Sequence, residues 1–303
     1  MAFLKPRMWN KGDFRVAAQK SLADFSLCRK TEGLDYYLGA YEEAALAINE
    51  LLDKTDDLLS LEDEAASLFF DGKLREIRYL ASPAISEDDL KNLAELKSVS
   101  KTALSHETNA RRAMEIILMN MDPNRFPWVQ LRRRPTREER ATAVIATASL
   151  MASQETQTKR RNLARANQEN TVAYFLQNLG YEEVKRRRVL LSSHAPFAHE
   201  FCREAMVGDK KADFVIGLAD GRFMALECKV SNSEVNSYKR LNHETVEKVQ
   251  HWNALFGVNG VVGAAVLAGV FKVSNLVDAQ EAGVAIFWTH DLEPLGSFLR
   301  SIE

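Results

Sequence analysis

Residues Lys211–Asn242 read KADFVIGLADGRFMALECKVSNSEVNSYKRLN, and they set a carboxylate and an ammonium, Glu227 and Lys229, inside an apolar run. Neither group is stable in an apolar interior unless a counter-charge or a metal receives it. The stretch resolves into two strand-like runs, ADFVIG and RFMALECKV, joined through LADGR. Gly221 suits the left-handed position of a three-residue hairpin loop. Side chains alternate along a strand, so Met224, Leu226, Cys228 and Val230 share one face, which is assigned to the core. Phe223, Ala225, Glu227 and Lys229 share the other, with Glu227 and Lys229 about 6.5–7 Å apart along the strand. If Leu218 pairs with Arg222, Asp213 falls opposite Glu227, and such neighbours sit about 4.5–5.5 Å apart.

Two unpaired carboxylates at that spacing repel. A hard cation such as Mg²⁺, with Mn²⁺ as a substitute, relieves the conflict because it takes carboxylate oxygens and keeps several waters. Such an ion acidifies a coordinated water and neutralises charge on a phosphate oxygen. Lys229 can orient that water, help deprotonate it or stabilise the transition state, and the sequence leaves these roles open. Phosphodiester hydrolysis is the reaction these parts suit. Glu169 is a fourth candidate, three residues before Val172 at the expected start of a helix beside the sheet. A carboxylate in a first turn is favoured by the helix dipole whether or not it reaches a metal.

The remainder of the chain divides in two. Four of the fourteen glycines precede residue 180, and none lies between Gly72 and Gly180. A glycine-free stretch rich in Ala, Leu, Glu, Lys and Arg favours helices, and regular glycines punctuate strands and turns. Residues 1–165 are therefore expected to form a helical domain and 166–303 an α/β domain. PTREERATAVIATASLMASQ opens on Thr136 with Glu139 three residues on, a capping box after Pro135. QENTVAYFLQNLGY carries helical apolar spacing and ends at Gly180. VKRRRVLL, GVVGAAVLAGV and GVAIFWTH read as further strands, and NHETVEKVQHWNALFG as a helix with Asn242 near its start. The expected fold class is α/β, a mixed sheet covered by helices, behind an N-terminal all-α domain.

Composition narrows the function. With 46% hydrophobic and 27% charged residues and no apolar run near the roughly 18 residues of a membrane span, the sequence reads as globular, with no membrane partner. The N-terminal stretch MAFLKPRMWNKGDF has no signal core, so a cytoplasmic location is expected. Cys28, Cys202 and Cys228 are too scattered for a zinc cluster or a disulfide framework. His194 and His199 lack a third zinc ligand, and His243 and His251 suit a helix surface. No GxSxG elbow or phosphate-binding glycine loop is present. A net charge of −2 means that any affinity for nucleic acid rests on local basic surfaces.

Asp213, followed after thirteen residues by Glu227-Cys228-Lys229 and preceded by a helix carrying Glu169, resembles the PD-(D/E)XK superfamily of restriction-endonuclease-like nucleases. Ala212 stands where that pattern has proline. ECKVSNSEVNSYKRLN with KVQHWNALFG, behind a helical N-terminal half, is similar to the XamI-type group of type II restriction endonucleases. The resemblance implies Mg²⁺-dependent cleavage of double-stranded DNA at a short specific site. It also implies a homodimer where the site is palindromic, and a partner DNA methyltransferase. By position, Asp213, Glu227 and Glu169 would hold the metal and Lys229 would serve the water.

Substrate must approach the Lys229 end of the strand, where Ser231, Asn232, Ser233, Asn236, Ser237, Lys239 and Arg240 offer hydrogen bonds and charge. The competing explanation is a polar loop with ordinary capping residues. Arg132, Arg133 and Arg134, with Lys159–Arg161 and Lys185–Arg188, are basic clusters suited to a DNA channel. Each taken alone is more often a solvated face. Two other functions remain open on the same residues: a structure-directed repair or junction-resolving nuclease, and a DNA-binding module with a vestigial nuclease site.

Overall fold

A computed structural model describes residues 3–32 and 34–302. Among these residues six strands form one mixed sheet in chain order: β1 (Glu182–Glu183), β2 (Glu200–Val207), β3 (Lys210–Gly217), β4 (Phe223–Ser231), β5 (Val261–Gly269) and β6 (Ala285–Trp288). β2, β3 and β4 make an antiparallel meander; β1 runs parallel to β2, and β5 and β6 run parallel to β4. The parallel steps need crossovers, which the helices Val246–Phe256 and Val273–Glu281 supply. The fold class is thus the expected α/β with a mixed sheet. No helix among the described residues is long and apolar enough to cross a membrane.

Both faces of the sheet are covered, which is why β5 reads as an unbroken apolar run. On one face Met224, Leu226, Cys228, Val266 and Phe287 pack against Val172, Leu176, Leu295 and Phe298. On the other, Phe223, Ala225, Ala265 and Leu267 meet Phe14, Val249, Trp252 and Leu276. The face that carries Glu227 is therefore core as well, not an open surface. The helix Val246–Phe256 lies so close to β5 that a Cβ at Gly263 would come within 2.5 Å of the Val249 side chain.

The chain separates into two compact units, residues 33–160 and residues 1–32 with 161–303. A single division at 165 is expected from the sequence, whereas here residues 1–32 group with 161–303. The N-terminal helix Lys11–Thr31 belongs with the sheet: Trp9 Nε1 donates to the Ile286 carbonyl at 2.8 Å, and Ser21 Oγ donates to the Gly269 carbonyl at 2.9 Å. The helical unit has its own core, built on Ile48, Leu51, Phe69, Ile77, Met114 and Trp128.

The helix opened by the capping box runs from Arg137 to Asn178 without a break. Glu139 N donates to Thr136 Oγ1 at 3.1 Å and Thr136 N to Glu139 Oε2 at 2.8 Å, the reciprocal pair the sequence predicts. No proline or glycine lies between Arg137 and Asn178 to stop the helix earlier. Glu169 consequently sits near its C-terminal end, and the first-turn placement is wrong. VKRRRVLL is not a strand; it touches β2 through the Val184 amide, which donates to the Phe201 carbonyl at 2.8 Å, and through a single bridge from Val189 to Val207. Consecutive arginines give it no face to bury. The segment after β4 turns helical sooner than Asn242. Ser233 caps a short helix, Glu234–Tyr238, and a wider π turn, Lys239–Thr245, leads into Val246–Phe256.

Candidate active site

The β3–β4 hairpin turns at Gly221, whose φ of +84° is the left-handed conformation the loop demands. Its register runs Gly217↔Phe223, Ile216↔Met224, Val215↔Ala225 and Phe214↔Leu226, and Asp213 and Glu227 follow just beyond the last pair. At that level backbone pairing gives way to side chains: Cys228 N donates to Asp213 Oδ2 at 2.8 Å.

Three carboxylates and three cations meet at this edge. Asp213, only 7% exposed, also accepts from Arg165 at 3.1 Å, and the same guanidinium donates to Glu169 at 2.6 Å. Glu227 is fully buried. Lys229 Nζ donates to its Oε2 at 2.6 Å, and Lys248 Nζ donates to Oε1 at 2.9 Å and Oε2 at 2.8 Å. Burial works to lower the pKa of Lys229, but the charge of Glu227 and its hydrogen bond outweigh that and hold it above the usual lysine value. Lys229 is therefore an ammonium in this arrangement. Burial, reinforced by Asp213, Glu169 and Glu227, pushes the Cys228 thiol well up, so it stays neutral and is no nucleophile.

The donor set fits a hard divalent cation. Asp213 and Glu227 offer carboxylate oxygens at one strand level, with Glu169 close by, and Mg²⁺ needs only one or two carboxylates besides water and substrate phosphate. Among the described residues no three His, Cys, Asp or Glu side chains are already grouped as a metal cage. The carboxylates instead face basic groups whose side chains keep 15% (Lys229), 25% (Lys248) and 54% (Arg165) of their exposure. Such partly wet groups can withdraw into solvent.

The remaining sequence candidates separate. Ser231 and Ser237 are buried and donate to the Ser233 and Glu234 carbonyls, so they are not available to a ligand. Ser233 is the helix cap, accepting from Asn236 N at 3.2 Å, and the Arg240 guanidinium donates to the Val230 carbonyl. The capping explanation thus holds for the serines. Asn232 and Asn236 bond to each other at 2.8 Å and are exposed, as is Lys239. Arg132 is exposed, but Arg133 is engaged by both oxygens of Glu139 and Arg134 by Asp56. Lys159 lies over the Tyr36 ring, and Arg187 pairs with Glu200.

Two residues escaped the sequence reading, Arg165 and Lys248. A signal for Lys248 existed. It stands seven residues after Leu241, three after Thr245 and four before Trp252, all buried, so it is a charge on the inner face of a helix. Arg165 shows only the ordinary i, i+4 spacing to Glu169.

The mixed sheet with an acidic residue on one hairpin strand and a Glu-x-Lys on the next belongs to a chain of the restriction-endonuclease class, as comparison with known proteins shows. The family model described as XamI restriction endonuclease matches residues 60–288, and the chain belongs to that family. The type II restriction enzyme XamI of Xanthomonas campestris pv. amaranthicola is 36% identical over 264 residues, covering 85% of this chain and 95% of that protein. No solved structure matches the chain significantly.

Proposed function

We propose that the chain is a Mg²⁺-dependent type II restriction endonuclease, with Mn²⁺ able to substitute, that hydrolyses phosphodiester bonds of double-stranded DNA at a short specific sequence. The observation that supports this is the β3–β4 ladder ending at Phe214↔Leu226, beyond which Asp213 bonds to the Cys228 amide between Glu227 and Lys229. Asp213 and Glu227 would hold the cation, with Glu169 as a further oxygen donor. A divalent ion there supplies charge to neutralise a phosphate oxygen and acidifies a water. Lys229, held protonated by Glu227, suits a hydrogen bond to the attacking water or to the charge that develops on the phosphate. Arg165, half exposed, is placed to meet the DNA backbone once it leaves Asp213.

Asn232, Asn236, Lys239 and Arg132 are the exposed members of the predicted contact set and are assigned to DNA. The helical unit is assigned further DNA contacts or dimer surface, and a palindromic site calls for a homodimer. The enzyme would act in the cytoplasm beside a DNA methyltransferase that protects the same sequence.

The test is a long unmethylated DNA incubated with the protein, with and without Mg²⁺, and its ends sequenced. Discrete fragments sharing one terminal sequence, absent in chelator, are expected. Cutting confined to branched DNA would favour the structure-directed nuclease. Intact DNA on every substrate, with wild type and Glu227→Ala alike, would favour the DNA-binding module.

A further inference from the structure

Lys248 is built into the site more tightly than an incidental surface lysine. An ammonium has three donors, and each finds an oxygen: Glu227 Oε1 at 2.9 Å, Glu227 Oε2 at 2.8 Å and the Lys211 carbonyl at 2.7 Å. A carboxylate gripped by both oxygens plus a backbone carbonyl is the hard-oxygen environment that surrounds a bound cation. Glu227 is fully buried, and among the described residues the donors to it are Lys248 and Lys229. The carboxylate is therefore neutralised entirely by the tips of two long side chains. Lys248 comes from a different element than the catalytic strand, the helix Val246–Phe256, and keeps a quarter of its side-chain exposure as a path to water.

We propose that the Lys248 ammonium is a built-in counter-ion that occupies the divalent cation's place at Glu227 and withdraws when the cation binds. The proposal rests on the metal-dependent function given above. Lys229 and Lys248 already share the Glu227 carboxylate, and a divalent ion cannot join two ammoniums at that distance without strong mutual repulsion in so dry a place. With no ion present, Lys248 keeps the buried Glu227 paired, so the site stays folded and neutralised. Binding of the ion then has to displace an internal competitor, and the affinity for metal is set lower than the carboxylates alone would give. Lys248 is on this account a positioning residue: it acts on Glu227, not on DNA.

Mn²⁺ binding to the full chain without DNA, measured by titration calorimetry, tests this on wild type, Lys248→Gln, Lys248→Met and Lys248→Arg. Lys248→Gln and Lys248→Met are expected to bind Mn²⁺ about tenfold or more tightly than wild type, because one unit of competing charge is gone. Lys248→Arg, which keeps the charge, stays near wild type. The rise in melting temperature on adding Mn²⁺ should also be larger in Lys248→Gln than in wild type, which a merely structural lysine would not produce. Wild type that binds Mn²⁺ while neither neutral variant gains affinity overturns this proposal and leaves the nuclease assignment standing. Absence of Mn²⁺ binding in every form overturns both. Lys248→Gln preserves a hydrogen-bond donor, so a folding failure of Lys248→Met alone does not remove the test.

Discussion

Each unit of the molecule buries a charge, and the two are held in opposite ways. In the helical unit the Arg125 guanidinium, 8% exposed, donates to Asp122 and the Tyr79 carbonyl at 2.8 Å, to the Ala81 carbonyl at 2.9 Å and to Thr147 Oγ1 at 3.0 Å. Those acceptors are main chain, or short side chains that cannot move away from it. In the sheet unit Glu227 is more deeply buried, yet lysine ammoniums with partly exposed side chains compensate it. The contrast separates scaffold from chemistry. A charge pinned to the backbone has one arrangement, whereas a charge neutralised by long, solvent-reaching side chains can trade its counter-ion for another cation.

The largest effect on stability is expected where the partner set is rigid. Arg125→Met should cost about 3–5 kcal/mol, because it removes the counter-charge of the largely buried Asp122 and the donor to the Tyr79 and Ala81 carbonyls. The loss, read from urea midpoints, should be the same with and without Mg²⁺. A cost below about 1 kcal/mol would place Arg125 among ordinary surface pairs and dissolve the contrast. Thr136→Ala removes the cap of the long helix and should cost about 1 kcal/mol in the same assay.

A smaller effect separates the units by pH. The hydrogen bond from Arg133, with a second from the Thr136 amide, lowers Glu139 from 4.5 to about 2. A depressed carboxylate contributes stability above its unfolded value, so this contribution is complete above about pH 4.5 and disappears as the pH falls toward about 2. Glu139→Gln should flatten that part of the acid-unfolding profile, and an unchanged profile would show that the capping pair is not what titrates there. Glu227→Gln should have the smallest effect on stability by urea unfolding. The amide still accepts from one lysine, and the partly exposed tip of the other reaches water. A loss as large as that of Arg125→Met would mean that the lysines are as fixed as the arginine's partners.

The parts of this arrangement that were legible in the sequence are the local ones. The hairpin followed from the alternation along RFMALECKV and an Asp-Gly turn, and the helix start at Arg137 from a capping box spanning four residues. The length of that helix was not legible, because its polar middle, QETQTKRRNLARANQEN, offers no continuous apolar face and looks like a junction. The grouping of the first 32 residues with the sheet was not legible, because the contacts of Trp9 and Ser21 reach Ile286 and Gly269, at the other end of the chain. Arg165 and Lys248 were missed for the same reason. Their partners stand 48 and 21 positions away, and neither spacing is a pattern until the strands and helices are packed. The serines after β4 show the reverse difficulty: their composition suggests ligand contacts, while the Ser231 and Ser237 hydroxyls donate to backbone carbonyls.

The contrast between the two buried charges converges on one experiment with Glu227→Gln, the substitution that should disturb the fold least. Its cleavage of the DNA that wild type cuts, in saturating Mg²⁺ and on protein shown by gel shift still to bind that DNA, should fall by at least about 10³-fold, as expected when several kcal/mol of metal-assisted charge stabilisation are lost. Cutting at the wild-type rate would contradict the account, because phosphodiester hydrolysis would then be taking place away from the edge where Asp213, Glu227 and Lys229 meet.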